Sequence, residues 1–245
     1  MKEFTENKKY YCQKIDSKIG NDLVKQYHYS KKVVSNTKLH LGIFDKTNNK
    51  LVGVLSFGYP MNPKKTPQKI VDGSNYLEMY ELNRMAMTDE APKFTESQGI
   101  GLGIKWLKRF QKNIKWLLSY SDGKENNVGI IYQATNWDYL GYFISNSFYK
   151  YDHGEYIHSV TSWHRYKERD KTGRKEMEIV CSVHNDVRKY YCKQHIYVFP
   201  LCKDLKYKLE KKDYPRKNEE KNILKIEILK EDGIMYYPNN KIIET

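Results

Sequence analysis

The sequence predicts a mixed α+β fold, in which a central, largely antiparallel sheet is flanked by helices. Short segments with alternating apolar residues, separated by turn residues, indicate several strands. Segments with apolar residues at helical spacing lie between them, and two of these segments follow residues that can cap a helix. At 245 residues, the chain is long enough for one large domain, or for one domain with an appendage.

The first predicted elements are a strand, a helix and a hairpin. Residues 9–15 alternate well enough for a strand, and Asp16 or Ser17 can then cap a helix. Residues 39–44 and 51–57 are apolar runs joined by a polar turn, which is typical of a β-hairpin.

The central stretch combines a long strand with a glycine-rich segment. Residues 59–73 contain prolines and lysines, which predicts an exposed loop, and residues 76–87 then predict a strand rich in large apolar residues. Residues 97–103 contain three glycines and lead into an amphipathic helix at 104–110. A strand, a glycine turn and a helix N-terminus can bind an anion, because the first N–H groups of the helix are free. The alternative is a flexible turn before a helix.

The second half of the predicted sheet follows the same alternation. Residues 115–120 predict a strand that ends before Ser121 and Asp122, and a helix then starts at Asn126 or Asn127. Residues 139–144 and 156–166 predict two further strands.

The composition changes after residue 166. A predicted strand at 195–201 and a terminal hairpin at 223–237 lie among dense lysines. We therefore predict a main domain at residues 1–166 and a basic C-terminal elaboration of that domain at residues 167–245.

The charge of the chain predicts a polyanionic partner. It has 43 Lys and Arg against 30 Asp and Glu, for a net charge of +13, which favours nucleic acid. The alternative is a lysine-rich, solvated surface. With no apolar signal segment, no apolar run of 18 residues and four dispersed cysteines, we expect a protein of a reduced cytoplasm without a membrane span.

The glycine segment carries a first family resemblance. The spacing Gln98-x-x-Gly101-x-Gly103 resembles the pyrophosphate loop of GCN5-related N-acyltransferases (GNAT). Residues 137–142 resemble the last motif of the same fold. The resemblance implies a mixed sheet splayed between the fourth and fifth strands. It also implies that Gln98, Gly99, Gly101 and Gly103 bind acetyl-CoA or a related acyl-CoA.

Three further segments carry a second resemblance. They are Tyr27 to Ser30, Glu81 to Met85, and Ser119 to Trp137. Together, over roughly residues 20–165, they resemble the phage Mom DNA-modification proteins, an offshoot of the GNAT fold. This resemblance implies an enzyme that modifies adenine N6 in phage DNA to a carbamoylmethyl form and so protects that DNA from restriction.

The second resemblance also implies roles for five residues. It places Tyr29 and Asp122 as ligands of an iron centre, and it matches functional positions of the family at His28, Arg84 and Ser97.

Chemistry alone leaves alternatives for these residues. His28 is a candidate general base or a cap at the C-terminal end of the first helix. Asp122 is a candidate base or metal ligand at a strand end, or a turn residue. Arg84 can bind a carboxylate or phosphate through two hydrogen bonds. We do not expect it to pair with Glu81, because a three-residue spacing puts the two on opposite faces of a strand.

Double-stranded DNA would need a flipped adenine and contacts to its phosphates. Tyr132 and Trp137 are candidates for stacking on nucleic acid, and Lys64 and Lys65 are candidates for binding it from an exposed loop. The alternative for the aromatic residues is an ordinary core position.

Two Cys-x-x-His pairs, Cys181 with His184 and Cys192 with His195, have side chains that bind zinc. On a strand, however, residues three apart face opposite ways, so we expect no shared ion.

Two other functions stay open: an acyl-CoA-dependent N-acyltransferase acting on a protein, an RNA or a small amine, and a non-catalytic nucleic-acid-binding module.

Overall fold

The computed structural model describes residues 3–123, 127–167, 175–218, 221–238 and 241–244. The chain forms two compact units, each built from separate stretches. The first comprises Met1–Tyr120, Gly129–Gly141 and Ile196–Tyr214; the second comprises Ser121–Val128, Tyr142–His195 and Pro215–Thr245. The predicted boundary at residue 166 falls inside the second unit and stays a prediction.

The elements alternate between strands and helices along most of the chain. The strands are β1 (Phe4–Glu6), β2 (Tyr10–Lys14), β3 (Thr37–Asp45), β4 (Leu51–Gly58), β5 (Met79–Met87), β6 (Trp116–Asp122), β7 (Asp138–Tyr151), β8 (Ile157–His158), β9 (Val187–Pro200), β10 (Ile223–Glu231), β11 (Ile234–Met235) and β12 (Lys241–Glu244). The helices are α1 (Ser17–Tyr27), α2 (Thr66–Ile70), α3 (Thr95–Phe110), α4 (Ile130–Gln133), α5 (Ser159–Tyr166) and α6 (Glu176–Val183). A short 3-10 helix, Tyr76–Glu78, precedes β5. None of the described helices is long and apolar enough to cross a membrane.

The first unit is a sheet with helices on both faces. Strands β1 to β5 are antiparallel neighbours, and β6 runs parallel to β5. Leu55 on β4 packs in one core with Ile100 and Leu107 of α3. Its neighbour Val54 packs in another with Val24 of α1. Successive strand residues face opposite ways, so α1 and α3 cover opposite faces. The predicted α+β class with a largely antiparallel sheet is confirmed.

A β-bulge in β5 changes which side chains share a face. Arg84 pairs with Ser56 and Leu82 pairs with Phe57, so Asn83 is an extra residue in the strand. The bulge moves Arg84 to the same face as Glu81. The prediction that these two residues lie on opposite faces was therefore wrong, because it assumed a regular strand.

The second unit contains a smaller sheet and two helices. Strand β10 pairs with β9, β11 and β12, and β7 pairs with β8. The terminal hairpin predicted at 223–237 is confirmed as β10 and β11. Residues 156–166, predicted as a strand, form β8 and then α5, because His158 caps the helix by accepting the Val160 N–H through its side chain.

Candidate active site

The candidate site lies in the first unit, where β5 and β6 part. Their pairing runs from Met79–Trp116 to Glu81–Leu118. No further pair joins the two strands, both of which the structure describes in full. Beyond this point, Ser119 Oγ lies 3.0 Å from the Leu82 carbonyl oxygen and 2.7 Å from Tyr132 Oη. The fourth and fifth predicted strands, residues 76–87 and 115–120, correspond to β5 and β6. The predicted splay between them is thus present, and polar side chains line its start.

Glu81 is the carboxylate at this opening. Burial raises its pKa from 4.5 to about 7, and the opposing charge of Arg84 only partly offsets this effect. Among the described residues its carboxylate has no hydrogen-bond partner. A carboxyl group with a pKa near neutrality can both accept and donate a proton under working conditions.

The Arg84 guanidinium is held on the same face by two backbone carbonyl groups. Its Nε donates to Lys32 O at 2.8 Å, and its Nη1 donates to Asn83 O at 2.6 Å. Burial lowers its pKa, while the nearby Tyr29 and Glu81 side chains oppose that shift. An arginine keeps its charge in such surroundings. Its other N–H groups can therefore bind an anionic group.

His28 is neutral at physiological pH. Burial, and then the charge of Arg84, lower its pKa from 6.5 to about 4. Its Nδ1 accepts the backbone N–H of Ser30 at 3.1 Å, which leaves the ring hydrogen on Nε2. His28 also caps α1, because its backbone N–H donates to Val24 O. The helix-cap position of His28 is therefore observed, and its catalytic role stays a prediction.

Aromatic residues surround this opening. Tyr29 is 77% exposed, and its ring centroid lies 4.3 Å from that of His28. Burial raises the pKa of Tyr132 to about 12, and burial also raises the pKa of Tyr120. Trp137 is fully buried against Tyr132. The prediction that Trp137 stacks on nucleic acid was wrong, because a fully buried ring has no free face.

The glycine segment is part of α3 and not a loop before it. Helix α3 begins at Thr95, so Gly99, Gly101 and Gly103 lie in its interior and their N–H groups are not at its free end. A Cβ at Gly103 would lie 2.6 Å from Leu55 Cδ1, whereas a Cβ at Gly101 would meet nothing within 4 Å. The predicted loop was therefore wrong, and Gly103 serves close packing of the helix on the sheet.

A cavity of about 560 Å³ lies along the open face of α3. Its helix lining is Ser97, Gly101, Ile104, Lys105 and Lys108, and residues 134–136, Asp138, Phe199 and Pro200 complete it. Gln98 does not line the cavity, and its Oε1 instead accepts from Asn7 Nδ2 at 3.2 Å. Of the predicted cofactor residues, Gly101 alone lines this cavity, beside the predicted site residue Ser97.

The remaining predicted residues lie elsewhere. Lys64 and Lys65 are exposed just before α2. Asp122 is the half-buried last residue of β6 and belongs to the second unit, whereas Tyr29 belongs to the first. The described residues contain no group of three or more His, Cys, Asp and Glu side chains that could hold a metal. The iron centre therefore has no support in this structure.

The two Cys-x-x-His pairs are parts of the second-unit core. Cys181 and Cys192 are buried. His184 contacts Asp152 and Tyr166, and the His195 Nε2 lies 2.8 Å from Asn222 Oδ1. The assumption that both pairs lie on strands was wrong for the first pair, because Cys181 lies on α6 and His184 is the C-cap of that helix.

Sequence reasoning missed three residues of the site. A regular strand places Glu81 and Arg84 on opposite faces, and the local sequence does not reveal the bulge at Asn83. The available signal for Glu81 is a polar residue within an apolar strand. Lys105 and Lys108 were overlooked because the helix was expected to begin only at residue 104. Because α3 begins at Thr95, Gly101 is part of the same helix as Lys105 and Lys108. The two lysines follow Gly101 by four and seven residues, which places all three on one helix face.

Comparisons with known proteins bear on the chain as a whole. The model of the Mom protein family matches residues 9–216. The methylcarbamoylase Mom of Escherichia phage Mu is 35% identical over 143 residues, which are 58% of this chain and 57% of that protein. The match thus spans a little over half the length of this relative.

Solved acetyltransferase structures are also similar. A GNAT-family acetyltransferase from Bacillus anthracis has a TM-score of 0.44 and 11% identity, over 81% of this chain and 98% of that chain. The spermidine N-acetyltransferase from Vibrio cholerae, solved in complex with CoA and spermine, has a TM-score of 0.44 and 9% identity. That similarity covers 80% of this chain and 97% of the acetyltransferase chain. The family match covers most of the sequence and confirms the resemblance predicted from three segments: the chain belongs to the Mom protein family.

Proposed function

We propose that this protein is a transferase that modifies N6 of adenine in double-stranded DNA with a carbamoylmethyl-type group, and so protects phage DNA from host restriction. Membership of the Mom family and the name of the phage Mu relative support the reaction. The net charge of +13 supports a DNA substrate. The structural observation that carries the proposal is the Glu81 carboxylate beside Arg84, which has no hydrogen-bond partner in the described part of the chain and a pKa of about 7.

The chemistry at N6 requires a base. The N6 lone pair is delocalised into the adenine ring, so the amino group becomes an effective nucleophile only if a proton leaves as the new carbon–nitrogen bond forms. Glu81 is a suitable acceptor for that proton, because its pKa lies close to the working pH. Before that transfer, Arg84 stabilises the ionised carboxylate of Glu81, or it binds an anionic group of the donor.

His28 and Tyr29 have supporting roles in this proposal. Neutral His28 holds its hydrogen on Nε2 and so suits hydrogen-bond donation better than proton removal. The exposed Tyr29 ring suits stacking with an adenine that has left the duplex.

The α3 cavity supports an acyl-CoA as donor. Lys105 and Lys108 place two positive charges at its lining, and Gly101 leaves its wall open for a phosphate-bearing chain. When bound there, acetyl-CoA or a related acyl-CoA would supply an activated acyl group, whose transfer breaks the thioester bond and releases CoA. Ser97, at the same wall, is a candidate hydrogen-bond partner for that ligand.

Mass spectrometry of nucleosides tests the proposal. DNA from cells expressing the protein should contain a modified deoxyadenosine, and that DNA should resist restriction enzymes that cut the control DNA. DNA with only unmodified adenine, together with acylated protein, RNA or polyamine, would instead identify an ordinary N-acyltransferase. Tight DNA binding with no modified product of any kind would identify a non-catalytic binding module.

A further inference from the structure

Helix α5 of the second unit exposes the one tryptophan that is not part of a core. Trp106, Trp116 and Trp137 are at most 1% exposed, whereas Trp163 is 48% exposed. An indole ring carries a large apolar area, so an exposed tryptophan commonly marks a surface that contacts a partner. Val160, one turn earlier on α5, is also exposed.

The surroundings of Trp163 are basic. Lys167 Nζ lies 4.9 Å from the centre of its ring, and the His164 ring meets it edge-on at 4.9 Å. Arg165 is exposed, and residues 159–167 include no aspartate or glutamate. An aromatic face under a lysine, with no acid on the helix, is complementary to a polyanion that carries aromatic groups.

The opposite side of α5 is anchored. Ser162 Oγ lies 2.6 Å from Tyr151 Oη, and Tyr166 Oη lies 2.5 Å from His184 Nε2. Both Ser162 and Tyr166 are buried. These buried contacts fix the position of α5, so the side chains on its exposed side keep a defined arrangement. A defined arrangement is what a contact surface requires.

A second aromatic–lysine pair precedes the helix. Lys150 Nζ lies 4.2 Å from the centre of the Tyr156 ring, just before β8. Alternating basic and aromatic groups is the arrangement that binds nucleic acid through phosphates and base stacking.

We propose that α5 is a DNA-contact element, in which Trp163 stacks on an exposed base and Arg165 and Lys167 bind phosphates. The inference rests on the proposed function, in which DNA is the substrate. DNA is the proposed occupant, because residues 159–167 carry cations and no acids. A protein partner would need a matching acidic surface. An RNA or an acidic protein as partner is an outcome that the test separates.

Tryptophan fluorescence gives a direct readout with the full-length protein. The probes are a mixed-sequence DNA duplex, its single strand, and a duplex RNA of the same sequence. Binding of DNA should quench wild-type fluorescence, and the quenching should disappear in Trp163→Phe, because the other three tryptophans are buried. Quenching that persists in Trp163→Phe, or that RNA produces more strongly than DNA, would overturn the proposal.

Affinity measurements separate stacking from charge. Trp163→Leu should weaken DNA binding roughly tenfold, as loss of one base–aromatic contact does, whereas Trp163→Phe should retain most of the affinity. Arg165→Gln with Lys167→Gln should reduce the slope of log affinity against log salt by about 2. The control is Lys46→Gln with Lys50→Gln, which removes the same charge but whose ammonium groups each lie 2.7 Å from a carboxylate. Equal slopes in the two double variants would contradict a specific contact.

Nucleoside analysis distinguishes failure of the proposed function from failure of the proposed DNA contact of α5. If wild-type protein leaves adenine unmodified, the proposed function fails. If wild-type protein modifies DNA and the Trp163→Leu and double variants modify it equally well at limiting DNA concentration, the function stands and the role of α5 fails.

Discussion

Two carboxylates, one in each unit, have similar neighbours and opposite environments. Glu81 lies near Arg84 and tyrosines, has no hydrogen-bond partner among the described residues, and has a raised pKa. Asp152 lies near His184 and tyrosines. It accepts backbone N–H groups from Asn185 at 2.8 Å and Asp186 at 3.0 Å, and it contacts His184 Nδ1. The Asp186 N–H, and then His184, lower the pKa of Asp152.

The difference separates a structural group from a reactive one. The acceptor capacity of Asp152 is used to hold the turn after β7 against the end of α6, so it has little left for a ligand. Glu81 is half-buried without such compensation, which a fold tolerates mainly where function requires it. Unsatisfied burial, and not the presence of nearby tyrosines or a cationic side chain, identifies the candidate catalytic carboxylate.

The largest expected effect is on catalysis. Glu81→Gln should lower the rate of DNA modification roughly 10²- to 10⁴-fold, as loss of a general base does, and Asp152→Asn should leave it near the wild-type rate. Nucleoside mass spectrometry under single-turnover conditions measures both, with circular dichroism to verify folding. A folded and fully active Glu81→Gln protein would show that Glu81 is not the general base.

Stability should depend on pH with opposite signs at the two sites. The folded-state pKa of Glu81 is raised, so its contribution to stability is fully present below pH 4.5 and is lost as pH rises through about 7. Glu81→Gln removes that loss, so its free energy of unfolding relative to wild type should increase by about 3 kcal/mol between pH 4 and pH 8.

Asp152 provides the matched control for this pH dependence. Its lowered pKa contributes stability above its ordinary value of 3.8 that is lost as pH falls. Asp152→Asn should therefore be less stable than wild type at pH 7 and approach it in acid. Urea unfolding across the same pH range measures both variants, and the same sign for both would contradict the assigned environments.

Arg84 should set the pH at which Glu81 becomes active as a base. Its charge lowers the pKa of Glu81, so Arg84→Gln should move the acidic limb of the rate profile to higher pH by roughly one unit. Arg188→Gln, which removes an arginine bound to Glu231 in the second unit, should leave the profile in place. A profile that falls in height without moving would assign Arg84 to ligand binding alone.

The smallest effects distinguish two glycines of α3. Gly103→Ala should destabilise the protein by roughly 1–3 kcal/mol, because its Cβ collides with Leu55. Gly101→Ala should stabilise it by roughly 0.5–1 kcal/mol, since an alanine in a helix interior with free space is favoured. Thermal unfolding measures both. Gly101→Val should also weaken use of an acyl-CoA donor if the cavity binds one.

Local pattern predicted the first unit well. Helix α1 follows from its Asp16 cap and its apolar spacing, and the β3–β4 hairpin follows from two apolar runs around a polar turn. Prediction failed where packing overrides the local signal. Helix α3 extends back through its glycines, of which Gly99 and Gly103 pack closely on the sheet. Helix α5 forms where alternating aromatic residues predicted a strand.

The sequence alone determined the family, the α+β class, the basic charge and the candidate residues His28, Tyr29 and Arg84, because these follow from residue identity and short-range periodicity. Only the tertiary structure determined that Glu81 joins them. That depends on the bulge at Asn83, on the parting of β5 and β6, and on burial by residues distant in sequence. A pKa and the face of a strand on which a side chain lies are set by neighbours that the local sequence does not contain.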